Sequence, residues 1–304
     1  MRLRELGPGE VRRRLKNQGL LLQTGPFSTL VRSSIGTVAE GIATLYADNQ
    51  TADDPGFADF HVSLQPADGV RRWVRRQCLF RFDGVAPFTP LPLGHSVPAF
   101  EWGLNWCIAK NAMQYLLFHA AAIERNGRVA IFPGVPGAGK STLCAGLVGR
   151  GGWRLLSDEL AIVDLKSGLV VPLARPISLK NGSIAVIRDF VPDAVMSRET
   201  HDTTKGTVAL AKAPVESVRR IAEAARPGWI IFPRYVAGAA PTLEPEKKAA
   251  AFIDLADNAF NYSVHGSAGF KVTADMVELC DCYRFTYSRL DDAIRVFASL
   301  EPPA

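Results

Sequence analysis

Cysteine is scarce in this chain, with five residues in 304, scattered rather than clustered. That excludes a disulfide-stapled scaffold, and the odd number points to a reducing compartment. Long apolar runs are lacking too. The stretch from Tyr115 to Ile123 is broken by His119, and nothing reaches the ~20 apolar residues that a membrane span needs. The N-terminus is basic but no apolar segment follows it, so no secretory leader is read there. Neither sign of charge dominates: 35 basic and 30 acidic residues leave a net charge of +5. This suits an anionic substrate such as a nucleotide and falls short of a nucleic-acid footprint. Internal repeats and low-complexity tracts are also missing. The expectation is a cytoplasmic protein with neither nucleic acid nor membrane as partner.

What the chain has in quantity is apolar residues, at 47%. A chain of this length and composition buries a sizeable core in one large domain or two. Residues 1–115 read as a mixed α+β region. A basic helix is expected from Gly9 to Gly19, where Arg12, Arg13, Arg14 and Lys16 form either an anion-binding patch or a solvated face. TGPFSTLVRS, FHVSLQP and RRWVRRQCLFRFDG alternate like strands, with a polar turn at Asp53 to Gly56. A proline-rich loop (Pro87, Pro90, Pro92, Pro98) leads to a helix over Phe100 to Leu117, whose Trp and Met stripe reads as core.

Residues 116–304 read as an α/β unit. LFHAAAIERNGRVAIFPG predicts two strands joined at Asn126-Gly127, a strong hairpin signal. A helix is expected from Lys140 to about Gly149, then short strands through WRLLSDELAIVDLKSGLVVPL with Asp164 at a turn. Helical patches follow at 183–190, 214–225 and 247–262, and GWIIFPRYV reads as a buried strand. YSVHGSAGFK reads as a mobile loop, and the C-terminal helix takes Ser288 as its N-cap. Cys280 and Cys282 read as small apolar strand residues or, less simply, as a metal pair, although no second pair with zinc spacing exists.

The most informative segment is Gly134, Val135, Pro136, Gly137, Ala138, Gly139, Lys140, Ser141 and Thr142, a full match to G-x-x-x-x-G-K-S/T. An apolar run precedes it and a helix-forming run follows, the strand–loop–helix setting the pattern requires. Its glycines allow the backbone to wrap a phosphate with N–H groups pointing inward, at a helix N-terminus. Lys140 can reach the β and γ phosphates of a nucleotide such as ATP, and the Ser141 hydroxyl can ligate Mg²⁺. Eighteen positions after Lys140 (158 minus 140), the first strand past the helix ends in Asp158-Glu159. Two acids beside a phosphate loop can divide metal binding and proton acceptance between them. His119, one hairpin before the loop, is a core residue or a site residue. Arg175, Arg188 and Arg234 are candidates to steady a phosphate or an acidic partner.

FHAAAIERNGRVAIFPGVPGAGKST, RGGWRLLSDELAIV and, more weakly, KGTVAL together resemble the HPr kinase/phosphorylase family, in particular the HPr-kinase-related group (HprK-related kinase A). The resemblance covers residues 115–240 or so. It implies the phosphate-loop (P-loop) fold shared with phosphoenolpyruvate carboxykinase, and Mg²⁺-dependent transfer of the γ-phosphate of ATP to a serine hydroxyl of a small protein or peptide. It places Lys140 on the phosphates, Ser141 on the metal, Asp158 as base, Glu159 as the second, metal-side acid, and His119 in the active site. Lys205, with Gly206, stands where the family has Arg-Gly. Counting ungapped from Lys140 instead puts Asp158 on the metal and Ser157 in the base position, where serine would be a poor base. Glu replaces the family's second Asp, and the family's longer signature around Lys205 is absent, so HPr itself is not implied as acceptor. The resemblance also raises a homo-oligomer as an assembly. Two other activities fit the same residues: a kinase for a small hydroxyl compound, and a nucleotide-sensing module with little turnover.

Overall fold

A computed structural model describes residues 1–54 and 56–302 of the chain. The first part holds helix α1 (Leu3–Lys16), strands β1 (Leu20–Thr24) and β2 (Phe27–Ser33), helix α2 (Gly36–Leu45), strands β3 (Phe60–Pro66), β4 (Gln77–Phe82) and β5 (Leu91–Pro92), and helix α3 (Ser96–Asn111). The strands form one sheet in the order β1-β2-β3-β4-β5, parallel only between β2 and β3.

Several expectations change here. The first helix starts at Leu3 because Leu3, Val11 and Leu15 are all buried; a bend at Gly7, where φ is +72°, admits Pro8. TGPFSTLVRS is not one strand but the end of β1, a turn and β2. Gly25 makes that turn with φ +57°, and an added Cβ would lie 2.3 Å from the Pro172 carbonyl oxygen. The RRWVRR segment is an exposed turn, and strand pairing begins only at Gln77. Helix α2 has no counterpart among the sequence expectations. The turn expected at Asp53 to Gly56 includes Pro55, which lies outside the described residues. The basic cluster of α1 is partly internal: Arg13 and Arg14 pair with Glu10, and Arg14 reaches Asp53.

The second part runs β6 (Tyr115–Phe118), β7 (Ala120–Arg125), β8 (Arg128–Pro133), α4 (Lys140–Arg150), β9 (Arg154–Ser157), β10 (Ala161–Asp164), β11 (Val170–Val171), β12 (Ile177–Lys180), α5 (Gly182–Phe190), β13 (Thr200–Thr203), β14 (Gly206–Ala211), α6 (Val215–Arg219), β15 (Arg226–Tyr235), β16 (Thr242–Pro245), α7 (Lys248–Asp257), α8 (Tyr262–Leu279), β17 (Asp281–Tyr287) and α9 (Leu290–Ala298). The central sheet is β16-β17-β15-β8-β7-β9, and two three-stranded sheets, β11-β10-β6 and β12-β14-β13, flank it. Strands β17, β15 and β8 are parallel, and β7 runs against both β8 and β9. The protein is thus mixed α/β with parallel and antiparallel pairing in one sheet.

Alternation along the strands builds two apolar layers. Ala121, Ile123, Ala130 and Phe132 face Leu143, Leu147 and Phe297 of α4 and α9. Ala120, Ala122, Val129 and Ile131 face the β6–β10 sheet together with Leu255 and Met276 of α7 and α8. The β7–β8 hairpin turns at Asn126 and Gly127 with φ of +54° and +79°, the left-handed pair that Asn-Gly favours.

YSVHGSAGFK is helical rather than a mobile loop; it forms the start of α8, bent at Gly266. Ser288 does not cap the last helix: Arg289 holds the N-cap position, and the Ser288 hydroxyl donates to the Ala239 carbonyl. Cys280 and Cys282 are buried free thiols, and no cluster of three or more metal-ligating side chains exists among the described residues. No described helix is long and apolar enough to cross a membrane.

The two parts share one core. Leu117, Leu160, Ile162, Leu173 and Leu210 belong to the same apolar cluster as Leu22, Val38, Phe60 and Phe100. Deep in the second part, Glu124 and Arg154 form a pair 2.5 Å long with side chains 3% and 5% exposed. Without Arg154 the buried Glu124 carboxylate keeps only the Gly127 amide at 2.6 Å and the half-exposed Arg220 at 3.6 Å, so Arg154→Ala should lower unfolding free energy by about 3 kcal/mol. Urea melts of the variant and wild type measure this directly; a loss under about 1 kcal/mol would mean that Arg220 or solvent takes over Glu124.

Candidate functional site

Strand register decides where the chemistry gathers. Ala120 at the start of β7 lies opposite Pro133 at the end of β8, and Ala122 lies opposite Ser157 at the end of β9. His119, the glycine loop 134–139 and Asp158-Glu159 therefore meet at one end of the central sheet. The sequence-derived residues are brought together across three adjacent strands.

The loop leaves β8 and enters α4 with Gly134, Gly137 and Gly139 at φ of +141°, +88° and +95°. At Gly139 the reason is double, because an added Cβ would lie 2.5 Å from the Tyr287 hydroxyl. That hydroxyl donates to the Gly139 carbonyl at 2.9 Å and props the loop. On the other flank the Asn258 carboxamide accepts from the Gly134 amide at 3.3 Å, while the Asn258 carbonyl accepts from the His119 amide at 2.6 Å. The Lys140 ammonium donates to the carbonyls of Gly134 and, at 3.1 Å, Val135. Lys140 is largely buried; burial lowers its pKa, opposed by the nearby Asp158 carboxylate.

Asp158 is 7% exposed. Its Oδ2 accepts from the Ser178 amide at 3.0 Å, and Oδ1 has no hydrogen-bond partner. Burial pushes its pKa from 3.8 up to about 6, opposed by the Ser178 amide; Glu159 adds to the rise, and the neighbouring Ser141 hydroxyl and Lys180 oppose it. Ser157 is no competitor as a base: it is buried, and its hydroxyl accepts from the Leu160 amide. His119 is held toward the neutral form by burial and then by Lys140. Its ring packs against Phe260, with centroids 5.8 Å apart.

Glu159 points the other way, toward α3. Its Oε2 accepts from the Asn105 amide nitrogen at 2.7 Å, and its Oε1 lies 3.7 Å from the Lys205 ammonium, which sits over the Trp102 ring. Asn105 in turn accepts from Arg175, whose guanidinium is buried against Glu101 at 2.7 Å. Arg175 is therefore a strut between the two parts of the chain, while Arg188 pairs with Glu199 at the surface and Arg234 is exposed. A small, partly open cleft of about 20 Å³ lies between these groups, bounded by Trp102 and Asn105 on one side and by Asp158, Glu159 and Ser178 on the other.

Residues that sequence reasoning missed are Asn258, Lys180, Ser178, Tyr287 and the α3 pair Trp102 and Asn105. None lies in a motif, and each reaches the site through tertiary packing. Trp102 lies in the stripe that the sequence marks as core, and Asn105 carries no signal.

The donors suit a hard divalent cation. Asp158 Oδ1 is buried without a partner and stands beside the Ser141 hydroxyl, both oxygen ligands. Mg²⁺ takes one or two protein oxygens, waters and substrate phosphates rather than an all-protein cage. Ser141 and Asp158 would hold it; Glu159, turned to Asn105 and Lys205, lies on the α3 side of the cleft. No family model and no curated protein matches the chain.

Proposed function

We propose that this protein is a P-loop phosphotransferase of the HPr-kinase-like kind, which moves the γ-phosphate of ATP to a hydroxyl group in a Mg²⁺-dependent reaction. One observation carries the reading: a buried, partner-free carboxylate oxygen of Asp158 at the same sheet end as a Gly-rich loop with Lys140 and Ser141. The loop amides and Lys140 bind and orient the phosphates. Ser141 and Asp158 would hold Mg²⁺, which would supply positive charge against the charge developing on the transferring group. The acceptor hydroxyl enters from the cleft, gives its proton to Asp158 and forms the new P–O bond as the bond from γ-phosphorus to the bridging oxygen breaks, leaving ADP. His119, neutral and beside Lys140, supports the phosphate end; Lys205 stands at the acceptor side.

A serine of a small protein or peptide is the acceptor that the resemblance favours. A small hydroxyl compound is the second reading, favoured because α3 stands over the acids and narrows the cleft beside them. A pure nucleotide sensor needs no base and fits the buried carboxylate least well. Five free thiols, all buried, suit a cytoplasmic setting.

Transfer from γ-labelled ATP with Mg²⁺, using a lysate of the source cells, purified HPr and free serine as separate acceptors, tests the reading. Label should reach an acceptor with wild type and vanish with Lys140→Met. Tight ATP binding with no labelled acceptor in any arm would favour the sensor.

A further inference from the structure

The site described so far accounts for the phosphates and the acceptor but not for the rest of the donor. Strand order supplies it. The acids and His119 lie on the β7–β9 side of the loop, and β15 lies on the opposite side of β8. β15 is parallel to β8, with Ile230 opposite Ile131, so its last residue, Tyr235, emerges at the same sheet end as the loop. The contact is direct. The Tyr235 amide donates to the Ala138 carbonyl at 3.1 Å, and the Tyr235 Cβ is 3.2 Å from where a Gly139 Cβ would stand. The ring meets the buried Tyr287 ring edge-on at 5.9 Å, yet Tyr235 remains 52% exposed. Tyr287 thus fixes Tyr235 from below and leaves a large aromatic surface open to solvent beside the loop.

Resting on the phosphotransferase reading, we propose that Tyr235 is the platform on which the aromatic base of the nucleotide stacks. A triphosphate whose γ end faces Asp158 crosses the loop and carries its nucleoside toward β15. The strand ends of a parallel sheet are where such a ligand crosses. Every base offers a π face, so the platform selects a nucleoside triphosphate over inorganic polyphosphate without choosing among bases.

Calorimetry of Mg²⁺-ATP and Mg²⁺-tripolyphosphate binding to wild type, Tyr235→Phe and Tyr235→Ala tests this. Tyr235→Ala should weaken ATP about 10- to 100-fold and leave tripolyphosphate unchanged, while Tyr235→Phe keeps wild-type affinity for both. Equal weakening of both ligands would make Tyr235 a prop of the loop and overturn the platform. Equal wild-type affinity for the two ligands would overturn it as well, with the phosphate loop intact. Binding of neither ligand to folded wild type would overturn the phosphotransferase reading itself.

Discussion

Asp158→Asn should abolish phosphate transfer and at the same time make the protein more stable at neutral pH. The loss expected from the proposed role of Asp158 as general base is about 10²- to 10⁴-fold. The stability gain follows from burial. The carboxyl titrates near 3.8 when the chain is unfolded and near 6 in the fold. As pH rises past 3.8 the unfolded chain gives up its proton first, so stability falls until the folded group also ionises, and the penalty is complete above pH 6. Across that gap it amounts to roughly 3 kcal/mol. An uncharged Asn, whose side-chain oxygen can still accept from the Ser178 amide, escapes the penalty. The variant should therefore exceed wild type by about 1–3 kcal/mol at pH 7.5 and lose its advantage below pH 4. Chemical melts at the two pH values decide it; a variant that still transfers phosphate and is no more stable at pH 7.5 would remove Asp158 from the centre of the site.

Gly139→Ala should destroy nucleotide binding and cost about 2–4 kcal/mol of stability. Two separate causes add. The residue sits at φ +95°, where an L side chain is strained, and the new methyl would lie 2.5 Å from the Tyr287 hydroxyl. Either the loop or β17 must move, and the bond from Tyr287 to the Gly139 carbonyl is lost with the movement. Combining it with Tyr287→Phe separates the causes. The double variant should recover the steric part of the stability loss and none of the conformational part, and ATP binding should stay lost. Full recovery of binding in the double variant would show that loop geometry tolerates a side chain there.

The central elements of the second part were legible because their signals are local. The Asn-Gly turn, the Gly-rich segment and the short apolar runs fix β7, β8, α4, β9 and β15 without reference to anything distant. The Asp164 turn is equally local, with its carboxylate accepting from the amides of Lys166 and Ser167. The first part was harder. β1 and β2 merge in a reading of sequence alone because Gly25-Pro26 is a tight turn inside an apolar stretch, and the arginine-rich stretch before Gln77 imitates an alternating strand but belongs to no sheet. α2 was missed because Gly, Thr, Val and Ile in its sequence are poor helix formers, and packing of Val38, Ala39, Ile42 and Leu45 decides the matter. The site divides in the same way. Loop and acids lie on one short stretch of sequence and could be read, but Trp102 and Asn105 of α3, Lys180 at the end of β12 and Asn258 after α7 arrive from three separate places in the chain.

The shared apolar cluster and the chain Arg175–Asn105–Glu159 carry a consequence for how this protein could change over generations. A chain cut near residue 115 would open Leu117, Leu160, Leu173 and Leu210 to water and release Glu159 from its hold. The N-terminal part is therefore no interchangeable bead on a string. A recombination event that swapped it for another would deliver an unfinished cleft, so the two parts can diverge only in step. A change in the cleft would have to be reached by point changes on α3, not by exchange of the whole segment.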